Sequence, residues 1–378
     1  MSDKGRVWAS EASASRDQRT GARVWQMTRH ASINHSLYFL TSSFLPNDRS
    51  LVFASFRTGR ANFFRAAFPE GEIVQLTDTE GLCSFSAVIS AAGSHLWFTR
   101  GSSIVVLDFA DLSERVVADF PGGRLGEVSL SADERWVVSA VTLADGYGVA
   151  VAATDGGGGR IIHRQTDVVI HPQFHPRRSE LIEYAVDPAP RIHVIHRDGT
   201  GDRCLYEHGV EEWVVHETWL PGSDDLVFTS WPRGIKRLRM PGGEIETVAE
   251  FNAWHISASP DGRVIICDTN CPDDGIQLVE VATSRRQTLC YPQSSNGGSQ
   301  WAKGRVALKA DFEEAARAAG TSVGEQLSWT DMKTDTVYGP QWTHPHPAFS
   351  RSGRFATFTS DRSGHPQIYV AEIRPPGL

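Results

Sequence analysis

Two histidines and a glutamine stand close together near the end of the sequence. The stretch GPQWTHPHPAF (339–349) contains Gln341, His344 and His346. His344 and His346 are two residues apart, so in an extended segment both side chains point to the same side. The proline that follows each histidine favours that extended backbone. Imidazole nitrogens with an amide oxygen suit Mn, Fe, Zn or Ni and leave coordination positions open.

A repeat in the sequence places further histidines in one register. A turn followed by a β-rich run recurs seven times, as in SPDGRVIIC (259–267). Equivalent positions of a ring-shaped repeat protein converge on one axis, so residues at a shared offset from these turns should meet. Counting five residues back from the anchor of each turn reaches Glu127 in one repeat and a histidine in four others: His171, His216, His255 and His346.

The shared register favours one common site over four separate structural roles. A lone histidine before a propeller strand is commonly a hydrogen-bonding residue between strands. Four histidines in register, with His344 close to His346, predict a metal site. Because this site contains neither carboxylate nor thiolate ligands, it differs from a structural zinc site. For His171 a structural role and a contact with substrate remain equally open.

The spacing of the turns predicts the fold that must position these residues. The first six anchors lie 39 to 45 residues apart, the length of a propeller blade made of short strands. We therefore predict an all-β, seven-bladed β-propeller, with eight blades as the alternative. The anchors are Pro46, Ala91, Ala132, Pro176, Pro221, Pro260 and Arg351.

The last two anchors are 91 residues apart, which we interpret as one blade plus an insertion over about 290–340. DFEEAARAAG (311–320) favours helix, so a short helical insertion is expected near 300–330. The segment ARVWQMT (22–28) should pair with QIYVAEI (367–373), which would close the ring and remove a sheet edge. We expect residues 1–20 to be a flexible N-terminus and 21–378 to form a single domain.

Composition narrows the classes of partner. Of the 378 residues 40% are hydrophobic and 22% charged, as in ordinary globular proteins, and the net charge is −8. A mildly acidic chain has no overall field for nucleic acid or an anionic membrane, so neither is expected as a partner. No apolar run of 18 residues and no hydrophobic signal segment are visible, and the five cysteines match no disulfide or zinc pattern. These features predict a cytoplasmic protein with reduced thiols.

Several stretches resemble the oligogalacturonate lyases. QWTHPHPAFSRSGRFATFTSDRSGHPQIYVAEI (341–373) is similar to the last blade of that family, and its Gln-x-x-His-Pro-His-Pro motif is specific. WHISASPDGRVIICDT (254–269), VVHETWLPGSDDLVF (214–228) and HPQFHP (171–176) resemble further stretches of the family. The likeness runs from about residue 171 to the end and is weaker before it. It implies a seven-bladed propeller that cleaves pectic uronate oligomers by β-elimination with manganese.

The resemblance also implies roles for individual residues. It assigns the metal to His255, Gln341, His344 and His346, and proton abstraction to His216. An arginine that pairs with the substrate carboxylate lies 25 residues before the base in the family, where this sequence has Arg191. Manganese and an acidic oligosaccharide are therefore the expected cofactor and partner. His171 is placed with Arg191 among the expected substrate contacts.

Two departures leave the substrate open. IEYAVDPAP (182–190) replaces a Cys-His-Glu-Gly run of the family, and the insertion is longer than expected. A lyase acting on a different uronate-containing oligosaccharide is therefore an alternative. A non-catalytic propeller scaffold, or a metal-dependent hydrolase that uses Glu127 or Glu217, are alternatives from other classes. The oligomeric state is left open.

Overall fold

The turn-and-strand repeats build a ring of seven antiparallel sheets, so the predicted seven-bladed β-propeller is confirmed. The computed structural model describes residues 3–269, 272–295 and 341–373. The helical insertion expected near 300–330 lies outside these residues. The N-terminal segment contributes β1 (Val7–Trp8), β2 (Ser13–Arg16) and β3 (Arg23–Gln26).

Blades 1 to 3 each contain four consecutive strands, the first nearest the axis. Blade 1 consists of β4 (Asn34–Ser36), β5 (Ser50–Ser55), β6 (Asn62–Ala67) and β7 (Ile73–Gln75). Blade 2 consists of β8 (Val88–Ile89), β9 (His95–Arg100), β10 (Ser103–Asp108) and β11 (Glu114–Asp119). Blade 3 consists of β12 (Arg124–Leu130), β13 (Trp136–Leu143), β14 (Gly146–Ala153) and β15 (Gly159–Gln165).

Blades 4 to 6 repeat this arrangement. Blade 4 consists of β16 (Val168–Phe174), β17 (Leu181–Asp187), β18 (Ile192–His196) and β19 (Arg203–Cys204). Blade 5 consists of β20 (Trp213–Trp219), β21 (Leu226–Trp231), β22 (Gly234–Arg239) and β23 (Glu244–Ala249). Blade 6 consists of β24 (Ala253–Ala258), β25 (Val264–Thr269), β26 (Ile276–Glu280) and β27 (Arg286–Cys290).

Blade 7 joins the two ends of the chain. After a 3-10 turn (Gln341–Thr343) come β28 (Ala348–Phe349), β29 (Phe355–Ser360) and β30 (Gln367–Glu372). β3 pairs with β30, with Trp25 opposite Val370, which confirms the expected closure of the ring. β2 pairs with β3, and β1 pairs with β7 of blade 1. Residues 1–20, expected to be flexible, thus include two strands, because blade edges offer unpaired backbone groups even to a polar segment.

The repeated turns bring neighbouring blades into close contact. Gly262 of the Pro-Asp-Gly turn has φ +69°, a conformation that suits glycine. A Cβ at this position would lie 1.8 Å from the carbonyl oxygen of Pro221 in blade 5. Only glycine therefore allows blade 6 to approach blade 5 so closely. This packing explains why the turn phrase is a good marker of blade position.

Apolar side chains fill the spaces between blades. Phe63 of blade 1 and Phe98 of blade 2 are both fully buried, with ring centroids 5.5 Å apart. Burial of one such side chain stabilises the fold by about 1.5–3 kcal/mol. Among the residues that the structure describes, four cysteines carry free thiols: Cys83, Cys204, Cys267 and Cys290. Within the described part of the chain, no helix is long and apolar enough to cross a membrane.

Candidate functional site

The histidines predicted from the repeat lie at bulges in the inner strands. In β16 the pairing register shifts between Ile170 and Gln173, and in β20 it shifts between Val215 and Thr218. A bulge leaves the extra residues unpaired and redirects their side chains. His171 and His216 occupy the first bulge position with φ +54° and +58°, a left-handed conformation that is uncommon for residues other than glycine.

The five-residue count is one position out of register in blade 6. The bulge of β24 lies between Ala253 and Ile256, so Trp254 is the counterpart of His216 and His255 is the second bulge residue. Glu127 occupies the same second position in β12. The prediction that these side chains meet still holds, because both residues of a bulge leave the ladder and can face the axis.

Three buried histidines form a group that could hold a metal ion. One ring nitrogen from each of His255, His344 and His346 lies within 4.8 Å of those of the other two. His255 Nε2 and His346 Nε2 are 3.1 Å apart. Nitrogens that share a cation at the roughly 2.0–2.1 Å of metal–imidazole bonds stand about 3 Å apart when the bonds meet near a right angle. The donor set and this spacing fit a divalent metal.

A carboxylate behind the group orients it. Asp268 in β25 accepts hydrogen bonds from the backbone N–H of His255 at 2.7 Å and from that of His346 at 3.3 Å. Its Oδ2 lies 2.8 Å from His255 Nδ1. Since a carboxylate accepts, the Nδ1 proton points to Asp268 and the Nε2 lone pair points to the histidine group, as is common for metal-binding histidines. Sequence reasoning missed Asp268, although it stands 13 residues after His255 in the quoted stretch.

His216 lies beside the group but does not belong to it. Its ring centroid is 4.4 Å from that of His255. Its Nδ1 is 2.7 Å from the carbonyl oxygen of Trp254, which can only accept, so Nδ1 carries the proton and Nε2 has a free lone pair. Burial lowers the pKa of His216 well below 6.5, and the nearby imidazoles of His255 and His171 lower it further. The side chain is therefore a neutral imidazole at pH 7.

Arg191 lies in the same cavity wall, but a carboxylate holds its guanidinium. Arg191 Nε and Nη2 donate to Glu217 Oε2 at 2.9 Å and Oε1 at 3.2 Å, and both side chains are buried. Despite burial, the positive charge of Arg191 and contacts with His171 hold the pKa of Glu217 below its usual range. His171 Nδ1 is 3.4 Å from Glu217 Oε1. Glu217 thus links Arg191 to His171, a role that its place directly after His216 could have indicated.

Blade 1 contributes two aromatic residues that the sequence analysis did not predict. The connection between β4 and β5 places Tyr38 and Phe39 at the axis. The Phe39 ring centroid lies 5.2 to 6.3 Å from the centroids of four imidazoles: His171, His216, His255 and His346. Tyr38 Oη is 2.9 Å from His171 Nε2. Burial raises the pKa of Tyr38, which keeps its hydroxyl protonated.

A cavity of about 160 Å³ lies next to these residues. Trp213 is partly exposed at its wall, whereas Trp254 is buried. The side chain of Gln341, a predicted metal ligand, lies outside the described part of the structure. The polar and titratable residues that line the cavity are Tyr38, Glu127, His171, Asp187, Arg191, His216 and His255.

Comparison with known proteins finds relatives of similar length. No protein-family model matches the sequence. An oligogalacturonide lyase of Pectobacterium atrosepticum is 20% identical, over 94% of this chain and 95% of the relative. The structure of an oligogalacturonate lyase from Vibrio parahaemolyticus superposes with a TM-score of 0.79 at 21% identity, covering 98% of this chain and 99% of that one. An oligogalacturonate lyase in complex with manganese gives 0.80 at 19% identity, covering 99% of both. Both structures support the seven-bladed fold.

Proposed function

We propose that the protein is a divalent-metal-dependent lyase that cleaves oligogalacturonate-type oligosaccharides by β-elimination and leaves a 4,5-unsaturated product. The observation that carries the proposal is the pairing of two groups at one cavity. A neutral imidazole with a free Nε2, on His216, lies next to three histidines suited to a cation. The similarity to proteins named oligogalacturonate lyases supports the substrate class.

The reaction requires stabilisation of a second negative charge. The C5 proton of a uronate is weakly acidic, because the adjacent carboxylate is already anionic. A divalent cation held by His255, His344 and His346, with Gln341 as the further expected ligand, would act as a Lewis acid towards that carboxylate. Manganese is the proposed metal, since a solved relative is described in complex with it.

His216 is the proposed base. The hydrogen bond from its Nδ1 to Trp254 O fixes the tautomer, so Nε2 can accept the C5 proton. Its lowered pKa keeps it unprotonated at neutral pH. The residue lies beside the metal-binding group without joining it, as a base that must approach C5 requires.

Arg191 is the proposed partner of the substrate carboxylate. Its Nε and Nη2 face Glu217, and the remaining guanidinium nitrogen, Nη1, has no hydrogen bond assigned to Glu217. Glu217 holds the guanidinium plane of Arg191 at the cavity wall. There the positive charge of Arg191 attracts an anionic sugar. His171 contacts the same carboxylate and shares the proposed substrate-binding side.

The segment that departs from the family resemblance favours one alternative substrate. Asp187 lies in the stretch 182–190 and lines the cavity. A carboxylate at this wall disfavours a second uronate carboxylate nearby and accepts hydrogen bonds from hydroxyl groups. An oligosaccharide in which a neutral sugar follows the reacting uronate is therefore the second candidate.

The test is direct. The protein is incubated with oligogalacturonate, and with uronate oligomers that contain neutral sugars, in the presence of a panel of divalent metals. Absorbance near the band of unsaturated uronates should rise, and chelation should abolish the rise. Metal-loaded protein that leaves every uronate intact would contradict the proposed function.

A further inference from the structure

Tyr38 lines the same cavity as the proposed base and brings a hydroxyl group to His171. It comes from the connection between β4 and β5 in blade 1, whereas the histidines come from blades 4 to 7. Its side chain lines the same cavity as His216. Its Oη lies 2.9 Å from His171 Nε2, and both side chains are buried. The hydroxyl is therefore held in place by an imidazole that can exchange protons with it.

A chain of hydrogen bonds continues behind this pair. His171 Nδ1 lies 3.4 Å from Glu217 Oε1, and Arg191 holds both oxygens of Glu217. Because the carboxylate only accepts, the Nδ1 proton of His171 points towards Glu217. Nε2 is then the ring nitrogen that gains or loses a proton, and it faces Tyr38. Such an arrangement suits a relay that resupplies a proton to a hydroxyl.

The proposed elimination needs a proton that His216 does not supply. His216 takes the C5 proton on Nε2, while its Nδ1 proton stays on Nδ1 and is donated to the Trp254 carbonyl oxygen. The sugar oxygen that leaves C4 is strongly basic and departs more readily when an acid protonates it. We propose that Tyr38 is this acid and that His171 replaces its proton; the proposal rests on the lyase function proposed above.

The step balances as follows. The C5–H bond breaks, its proton goes to His216 Nε2, and its electron pair forms the C4–C5 double bond. The C4–O bond breaks, and its electron pair stays on the oxygen. That oxygen receives the Tyr38 proton, and a proton from water then reaches the Tyr38 oxygen through His171 Nε2. The hydroxide left by that water takes the proton from His216 Nε2, so atoms and charge balance.

The test compares two leaving groups in the Tyr38→Phe variant. One substrate is oligogalacturonate, whose leaving group is a sugar alkoxide. The other is a synthetic uronate with an aryloxy group at C4, which departs without protonation. Tyr38→Phe should lower kcat on oligogalacturonate by about 10²–10⁴-fold. On the aryl substrate its kcat should stay within a few fold of wild type. Metal content and thermal unfolding should not change.

Tyr369→Phe is the matched control. Tyr369 is also buried, but it lies in β30 of blade 7 and its hydroxyl bonds Ser363. His171→Gln is a second variant, which keeps a hydrogen-bonding group near Tyr38 but cannot relay a proton, so it should show the same preference for the aryl substrate. It decides the matter if Tyr38→Phe fails to fold.

Two results would overturn the assignment. Equal losses on both substrates would mean that Tyr38 acts on binding or structure, and no loss on oligogalacturonate would mean that another acid serves the leaving group. Wild-type protein that is inactive on both substrates would instead refute the lyase function, together with the role of Tyr38 that rests on it.

Discussion

The two halves of the ring bring different kinds of side chain to its axis. In blades 4 to 7 the inner strands and their approaches bring five histidines to it, three of them with positive φ: His171, His216 and His346. Blades 1 to 3 bring Tyr38, Phe39, Phe85 and Glu127. One half thus presents five imidazoles, three of them from backbone conformations uncommon for residues other than glycine, while the other half packs aromatic rings against them. Such strain persists only where surrounding structure holds it, and the aromatic rings supply that support.

The largest expected effect is loss of the metal. His344→Ala removes one of three clustered nitrogens, so the purified protein should contain far less metal than wild type and its lyase activity should match that of chelated enzyme. Elemental analysis and absorbance assays measure both. His95→Ala, an exposed histidine of blade 2, is the control and should change neither. Unchanged metal content in His344→Ala would remove it from the ligand set.

His216→Ala tests whether His216 is a base rather than a metal ligand. We expect kcat to fall by about 10²–10⁴-fold, as for loss of a general base, with metal content unchanged. His216 lies outside the three-histidine group, so the metal has no reason to leave. Loss of metal in this variant would show that His216 is a ligand rather than a base.

Asp268→Asn addresses the support behind the group. The amide can still accept a hydrogen bond but loses the charge that orients His255, so metal affinity should fall about 10–100-fold. Metal titration with a competing chelator measures the change. Asp225→Asn, a buried carboxylate paired with Arg237 away from the axis, is the matched variant and should retain wild-type affinity.

The stability of metal-free protein should depend on the same half of the ring. Burial holds the pKa of His216, His255 and His346 well below 6.5, with neighbouring imidazoles adding to the effect. The unfolded chain therefore binds protons at these histidines that the folded chain does not bind, which lowers the free energy of unfolding as pH drops below 6.5. Burial raises the pKa of Asp268, in contact with His255, to about 7, so its protonation in the folded protein offsets part of this loss. The loss is about 1 kcal/mol per histidine over the first pH unit. Urea unfolding at pH 7.0 and 5.5 measures it; an unchanged midpoint would contradict the burial argument.

Glu127→Gln should have the smallest effect. Glu127 occupies the bulge of blade 3 that corresponds to His255, and it lines the cavity. As part of the wall it should alter kcat by less than about tenfold, well under the loss of a general acid or base. A loss as large as that of His216→Ala, with hydrolysed rather than unsaturated products, would favour the metal-dependent hydrolase.

The sequence predicts local features of this protein better than distant ones. Blade number follows from repeated turns, which depend on neighbouring residues. Ring closure was predicted from a strand-like segment before the first repeat, although β3 and its partner β30 lie far apart in the chain. The meeting of His255, His344 and His346 follows from the same repeat. Register at His255 was one position out, because strand spacing shows where a turn lies but not which bulge residue has positive φ.

Tyr38 and the role of Glu217 were missed because both are joined to the site by tertiary contacts alone. Tyr38 reaches His171 across 133 residues, and no repeat position marks it, since it comes from a connection unique to blade 1. Glu217 was considered only as the carboxylate of a metal-dependent hydrolase, yet it pairs with Arg191. A carboxylate beside a buried guanidinium is visible only once the chain has folded. The roles assigned to the site residues stay predictions: His171, Arg191, His216, His255, Gln341, His344 and His346.

The closing pair of β3 and β30 has a consequence for the timing of assembly. Blade 7 carries His344 and His346, yet its sheet is completed by β2 and β3, which are synthesised before its other three strands. During synthesis on the ribosome, β30 is not available to pair with β3 until the segment that contains all the other blades has been made. Until then the ring is an open arc, and two of the three clustered nitrogens have no finished sheet to hold them. Binding of the proposed metal should therefore depend on the final step of folding, and an incomplete ring should bind the ion weakly.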